Sequence, residues 1–275
     1  METRLGISSW CYPYAIGVAG HEPKYKLNAF DLVDKAVKLQ VPVVQIADNY
    51  PLHQHSEEEL EKLYKYAFEK GIDIEVGTRG IKTENLLRYI HICEILHSPL
   101  LRVVIDEPGD EPDIDEIIRR FRSVLSLLEE KKIVIGIENH DRLSAKTFAE
   151  IVETMNSPWI GIVLDTVNSF ACEEGTELVL NTLAPYTVCF HMKDYRIDRV
   201  STNMGLEVYG TIAGEGRLNL PRCLQILRKR AKSDFSTILE FWMQPENTPE
   251  KTVRKEEEWV EKSITYMKSV ENILE

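Results

Sequence analysis

The feature that most limits how this chain can fold is an alternation repeated eight times: a short apolar run, then a stretch with helical periodicity. The runs occupy residues 4–8, 43–47, 72–76, 100–105, 133–137, 160–164, 188–190 and 237–239. Helices are expected between them near 28–39, 56–69, 83–97, 113–130, 144–155, 174–183 and 220–231, with a last one over about 248–272. Ser56-Glu57-Glu58-Glu59 has capping-box spacing, and Gly71 stands just past the end of the same helix. Leu100-Leu101-Arg102-Val103-Val104-Ile105 is apolar on both faces, as suits a parallel strand with helices outside and packed side chains inside. Eight such units predict an α/β fold, a single (β/α)8 TIM barrel spanning residues 1–275. An open doubly wound sheet gives a similar alternation, but its dinucleotide-binding form needs a Gly-x-Gly-x-x-Gly after the first run, which is missing.

A chain of 275 residues, 43% hydrophobic, is of a size to fill such a barrel. Its 45 acidic and 33 basic residues leave a formal charge of -12, which opposes docking on a phosphate backbone and excludes nucleic acid as the expected partner. Cys11, Cys93, Cys172, Cys189 and Cys223 are scattered and form no Cys-x-x-Cys pair, so buried free thiols are expected rather than a disulfide or zinc framework. Residues 1–7 run straight into a strand, and no apolar run reaches membrane-spanning length. The expectation is a soluble cytoplasmic protein with no membrane partner; a homo-oligomer is left open.

Four runs in the second half each end in a polar residue: Ile137-Glu138, Leu164-Asp165, Phe190-His191 and Leu239-Glu240. In a closed barrel these strand ends point into one mouth, so three carboxylates and an imidazole would converge. A bound dication would relieve their mutual repulsion. Oxygen-rich ligation with one nitrogen favours Mn2+, then Mg2+ or Co2+, and admits Zn2+. Two long inserts, 12–27 and 194–219, follow the first and seventh strands on the same face and are candidate lids.

Read together, Gly136-Ile137-Glu138-Asn139-His140, Leu164-Asp165-Thr166-Val167-Asn168, His191-Met192-Lys193-Asp194, Gly214-Glu215-Gly216 and Leu239-Glu240 resemble the xylose-isomerase-like barrel superfamily of sugar isomerases and epimerases. That group also contains inosose dehydratases, ketose 3-epimerases and endonuclease IV. The resemblance implies that Glu138, Asp165, His191 and Glu240 bind one divalent metal and that Glu138 and Glu240 are also the catalytic pair. The sequence departs from the ketose 3-epimerase pattern at Asn168, where that branch carries His, and at Ile197, where it carries Arg, with Arg196 one place early. The endonuclease IV branch is disfavoured, because it needs further His ligands and the second strand ends here in Asp48-Asn49. Runs 75–80 and 164–170 are also similar to the decarboxylases of apionate breakdown.

Other polar residues near the mouth admit two readings each. Lys193 and Asp194 either bind substrate or pair with each other; Lys193 shares strand parity with His191. Asn168 either contacts substrate or caps a helix. Arg79, on the same side of its strand as Glu75, either reaches a substrate carboxylate or phosphate or forms an ion pair at the rim. Arg102, if inward, needs a buried acid, for which Glu75 is a candidate. His140 could reach substrate. Trp10 and Trp242 either flank a sugar ring or pack under a lid. Gly214 and Gly216 either bring backbone close to substrate or serve a turn with positive φ. Residues 256–261 form an acidic stretch expected on a solvated helix face.

The expected substrate is a small polyhydroxylated carbonyl compound, and the leading activity is that of a metal-dependent isomerase or epimerase working through a metal-stabilised enediolate. For epimerisation, Glu138 and Glu240 would stand on opposite faces of the enediolate. A lyase on the same scaffold is the runner-up, either a 3-oxo sugar acid decarboxylase or a polyol-ketone dehydratase. In that case Arg79 and Lys193 could hold a carboxylate. A non-catalytic sugar-binding barrel ranks last, since it would gain nothing from converged carboxylates.

Overall fold

Each of the eight apolar runs forms a strand, and each helical stretch a helix. The computed structural model describes residues 3–232 and 234–274; Met1 and Glu2, at the head of the segment expected to lead into the first strand, lie outside them. In chain order the elements are β1 (Thr3–Ser8), α1 (Pro13–Ile16), α2 (Ala29–Leu39), β2 (Val43–Ile46), α3 (Glu57–Glu69), β3 (Asp73–Arg79), α4 (Thr83–Leu96), β4 (Leu100–Val104) and α5 (Ile114–Lys131). They continue with β5 (Val134–Glu138), α6 (Ala145–Met155), β6 (Ile160–Asp165), α7 (Thr176–Leu183), β7 (Thr187–Met192), β8 (Tyr195–Arg199), β9 (Leu206–Gly210), α8 (Leu220–Arg230), β10 (Phe235–Leu239) and α9 (Pro249–Leu274). Eight strands close into a parallel barrel in the order β1-β10-β7-β6-β5-β4-β3-β2. The chain is therefore a (β/α)8 TIM barrel.

Local chemistry sets the helix ends. Ser56 Oγ accepts from Glu59 N while the Glu59 carboxylate accepts from Ser56 N at 2.8 Å, which completes the expected capping box of α3. Gly71 closes that helix at φ 70°, a conformation that costs glycine little. Asn28 and Asp31 form a second such box on α2.

Strand alternation divides each strand between two cores. Val44, Leu101, Leu164, Phe190 and Leu239 face the helices in the large hydrophobic core. Val43, Leu100, Val163, Cys189 and Ile238 form a smaller cluster inside the barrel. Gly161 lets β6 and β7 close, because a Cβ there would sit 2.4 Å from a methyl of Val188. Going two residues along from the inner apolar layer reaches Gln45, Arg102, Asp165, His191 and Glu240, so one parity rule puts the polar residues at the mouth.

The inserts hold structure that the sequence did not suggest. Insert 194–219 contains the antiparallel hairpin β8–β9, and insert 12–27 contains the short helix α1. The acidic stretch 256–261 also differs from expectation, because Glu256 is buried. Its carboxylate accepts from Tyr14 N at 2.7 Å and Ala15 N at 2.9 Å, tying α9 to α1. Glu257 and Glu261 pair with Lys35 and Lys38 of α2. The stretch is thus divided: Glu256 and Val260 are buried in an interface, while Glu258 and Glu261 are exposed as expected. Four of the five cysteines are buried, as expected, whereas Cys172 is half-buried; all five are free thiols.

Burial pushes the Glu256 carboxyl up to about 8, against the two backbone N–H groups, which lower it. An unfolded glutamate ionises near 4.5, so between that pH and about 8 the folded state holds the extra proton and loses stability as pH rises. Glu256→Gln has no such titration. In urea denaturation, the stability of Glu256→Gln relative to wild type is expected to rise steadily from about pH 5 to 8 and then level.

Candidate active site

The four polar strand ends converge. One ligand-type atom from each of Glu138, Asp165, His191 and Glu240 lies within 4.8 Å of all the others, and all four residues are buried. They come from β5, β6, β7 and the residue after β10, which are neighbours around the barrel.

Each side chain is held by a specific device. Asp165 Oδ1 accepts from Val167 N and Asn168 N, both at 2.8 Å, leaving Oδ2 turned to the cluster. Asn139 locks the same segment: its Oδ1 accepts from Asp165 N at 2.7 Å, and its Nδ2 donates to the Asp165 carbonyl at 3.1 Å. His191 Nε2 stands 2.7 Å from Gln45 Oε1, an acceptor, so Nε2 carries a proton and Nδ1 is the nitrogen turned to the carboxylates, the one whose lone pair a cation there would take. Glu75 fixes the Gln45 amide in turn, accepting from its Nε2 at 2.9 Å. Neither Gln45 nor Glu75 was assigned this role from the sequence. The available signal was a lone amide in the otherwise apolar run Val43-Val44-Gln45-Ile46.

The two glutamates are held very differently. Glu138 Oε1 accepts from Asn168 Nδ2 at 2.7 Å, and Oε2 accepts from Arg102 Nε. Both oxygens of Glu240 are buried without a directed hydrogen bond. Lys193 Nζ stands 2.7 Å from Asp165 Oδ2 and 2.9 Å from Glu240 Oε2, close enough for ion pairing although neither contact has hydrogen-bond alignment.

The electrostatics show what such a cluster demands. Burial would raise Glu138, but Arg102, His191 and Lys193 together hold it well below the usual carboxylate range. Burial lowers the His191 imidazole and the Lys193 ammonium, yet the surrounding carboxylates more than offset this and hold both above their ordinary values. Carboxylates that pull this hard on a proton would pull equally on a metal cation. Asp165 Oδ2, His191 Nδ1 and both Glu240 oxygens are orphaned buried atoms aimed at one point, a donor set of oxygens and one imidazole that fits a divalent metal.

The cluster floors a cavity of about 390 Å³ whose lining includes Arg79, Arg102, His140, Asn168, Lys193 and Trp242. Trp10 also lines it, together with Pro13, Tyr14 and Val18 of the first insert and Val208 and Tyr209 of the second, so both inserts reach the mouth. All six residues expected to contact substrate are therefore on the wall. Several alternatives are resolved. Asn168 bonds Glu138 and caps no helix with its side chain. Lys193 and Asp194 do not pair: Asp194 instead accepts from the backbone N–H groups of Gly214, Gly216 and Leu218 at 2.8, 3.0 and 2.9 Å, anchoring the second insert. Gly214 serves that turn at φ +88°. Arg102 pairs with Glu138 and with Asp48, not with Glu75. Arg196 is exposed and donates to the Glu215 carbonyl at 3.2 Å.

With this geometry in place, the chain matches the family model described as xylose isomerase-like TIM barrel over residues 33–270. It is 29% identical over 263 residues to a 3-oxo-isoapionate decarboxylase of Pectobacterium atrosepticum, covering 96% of this chain and 94% of that one. It also superposes on a D-psicose 3-epimerase with D-tagatose from Clostridium cellulolyticum H10 at TM-score 0.73 and 16% identity, over 99% of this chain and 100% of that one. A xylose isomerase-like TIM barrel protein from Mycobacterium smegmatis in complex with magnesium matches at TM-score 0.71 and 11% identity, over 96% and 99% of the two chains. At such identities these two structures establish a common fold.

Gln45→Leu keeps a side chain of similar size but removes the acceptor that fixes the His191 tautomer. Calorimetric titration with Mn2+ is expected to show affinity lower by roughly 10- to 100-fold, with the fold intact by circular dichroism.

Proposed function

We propose that this chain, which belongs to the xylose isomerase-like TIM barrel family, is a divalent-metal-dependent lyase that removes carbon dioxide from a small 3-oxo sugar acid. The observation that carries this reading is the asymmetry of the two glutamates. Epimerisation through an enediolate needs proton-transfer groups free on both faces. Here Glu138 has one oxygen engaged by Asn168 and the other by Arg102, while neither oxygen of Glu240 accepts a directed hydrogen bond and only Oε2 is ion-paired, with Lys193. Decarboxylation needs only one proton delivered, which moves the lyase ahead of the isomerase or epimerase expected from sequence.

Charge supports the substrate class. Arg79 and Arg102 pair with Asp48 and Glu138, and Lys193 pairs with Asp165 and Glu240, three cations against four carboxylates. A dication leaves one positive charge in excess, which a single substrate carboxylate neutralises. The decarboxylase similar over 96% of this chain has a name that describes such an acid.

Bound by Glu138, Asp165, His191 and Glu240, a metal such as Mn2+, Mg2+ or Co2+ would supply Lewis acidity toward a carbonyl oxygen. In a 3-oxo acid the C1–C2 bond breaks and carbon dioxide leaves. Its electron pair becomes the C2–C3 double bond, with the negative charge on O3. A proton added at C2 completes the ketone. Lys193 Nζ, kept protonated by Asp165 and Glu240, is the donor at the floor of the cavity, and Glu240 is the carboxylate free to exchange that proton. The walls formed by Trp10, Tyr14 and Trp242 keep bulk water from the carbanion.

Incubation of the Mn2+-loaded protein with a panel of 3-oxo sugar acids in heavy water is expected to release carbon dioxide and place one deuterium on the carbon that lost it. An epimerised product with its carbon retained would overturn the reading. Lys193→Met and Glu240→Gln are each expected to lose about 10²-fold or more in kcat, not restored by excess Mn2+, whereas Asp165→Asn should recover partly with excess metal.

A further inference from the structure

Three cations reach the cavity, but they are not equivalent. Lys193 already faces two carboxylates on the floor. The two arginines are joined through a residue whose role sequence alone does not suggest. Asp48, just past β2, accepts from Arg102 Nη1 at 2.6 Å and from Trp10 Nε1 at 3.4 Å through Oδ1, and from Arg79 Nε at 3.3 Å through Oδ2. One carboxylate thus orients two guanidinium groups and an indole on the same wall.

A guanidinium has five N–H donors and no acceptor. Arg102 uses Nε on Glu138 and Nη1 on Asp48, so neither contact involves its Nη2 group. Arg79 makes three longer contacts: Nε to Asp48 at 3.3 Å, Nη1 to the Asp106 carbonyl at 3.2 Å and Nη2 to His140 Nε2 at 3.3 Å. One N–H on each of its Nη atoms is left over. His140 Nε2 must accept from Arg79, which puts the imidazole proton on Nδ1, 2.9 Å from Asp141 Oδ2. Arg102 is 3% exposed and Arg79 is 33% exposed, so the first is a buried tie and the second is the fork that a ligand can reach.

We propose that Arg79 and Arg102 form the subsite for the substrate's carboxylate, with Arg79 as the contact residue and Asp48 as the positioning residue that aims both. The proposal rests on the reading above that the substrate is an acid. A planar carboxylate matches a guanidinium fork, and the single excess positive charge of the metal-loaded site matches a carboxylate better than a phosphate dianion.

The test uses metal-loaded protein and calorimetric binding of a matched pair, D-erythronate, a four-carbon sugar acid, and D-erythrulose, the neutral four-carbon ketose. Arg79→Gln is expected to weaken erythronate about tenfold or more while changing erythrulose less than about twofold, and Arg79→Lys to fall between wild type and Gln. Asp48→Asn should show the same selective loss although both arginines remain, and in turnover it should raise KM more than it lowers kcat. Inorganic phosphate should compete with erythronate only weakly. Unchanged erythronate binding in Arg79→Gln, equal loss of both ligands, or stronger competition by phosphate would each overturn the subsite. Arg79-dependent erythronate binding without carbon dioxide release from any 3-oxo acid would sink the decarboxylase reading and leave the subsite standing. Carbon dioxide release that Arg79→Gln leaves untouched would do the reverse.

Discussion

Three buried carboxylates and the half-buried Asp48, at the mouth of a closed barrel, are the constraint around which the rest of this site is arranged. Left uncompensated, each would cost several kcal/mol to keep ionised. Here each has a cationic partner: Arg102 for Glu138 and Asp48, Arg79 for Asp48, and Lys193 for Asp165 and Glu240. Compensation is nonetheless incomplete at the centre, where orphaned atoms of Asp165, His191 and Glu240 face one another. A divalent cation would complete the balance there. The layer beneath is built to keep that centre fixed, with the Gln45–Glu75 pair setting the imidazole and Asn139 setting the β6 end.

The same compensation bears on the chemistry. A carboxylate gripped by an arginine and an amide is a good ligand and a poor proton carrier, while one without directed bonds is free to do both. Glu138 and Glu240 occupy corresponding strand ends and share a residue type, yet their neighbours give them different capacities.

Around this floor, the inserts make a wall whose seating depends on distant parts of the chain. Asp194 gathers the backbone of residues 214–218 and thereby anchors the second insert, while Glu256 reaches from the last helix to hold α1. Both are acidic side chains that satisfy backbone N–H groups which would otherwise be buried unpaired. The cavity's shape is therefore tied to α9, far along the sequence from Trp10 and Tyr14.

The barrel and its four converging residues were legible because they follow from periodicity alone. Strand parity and position at the C-terminal end decide where Glu138, Asp165, His191 and Glu240 point, whatever their neighbours are. Partnership was not legible. Asp48 looked only like the end of a strand without a histidine, Glu75 like the partner of Arg102, and residues 256–261 like solvated surface, because pairing depends on which strands and helices lie side by side and at what register. The sequence by itself determined the fold and the chemical types brought to the mouth, since local patterns carry both. Only the tertiary structure decided which glutamate is gripped, which arginine can reach a ligand and which acid is buried, because burial and distance are properties of the closed barrel.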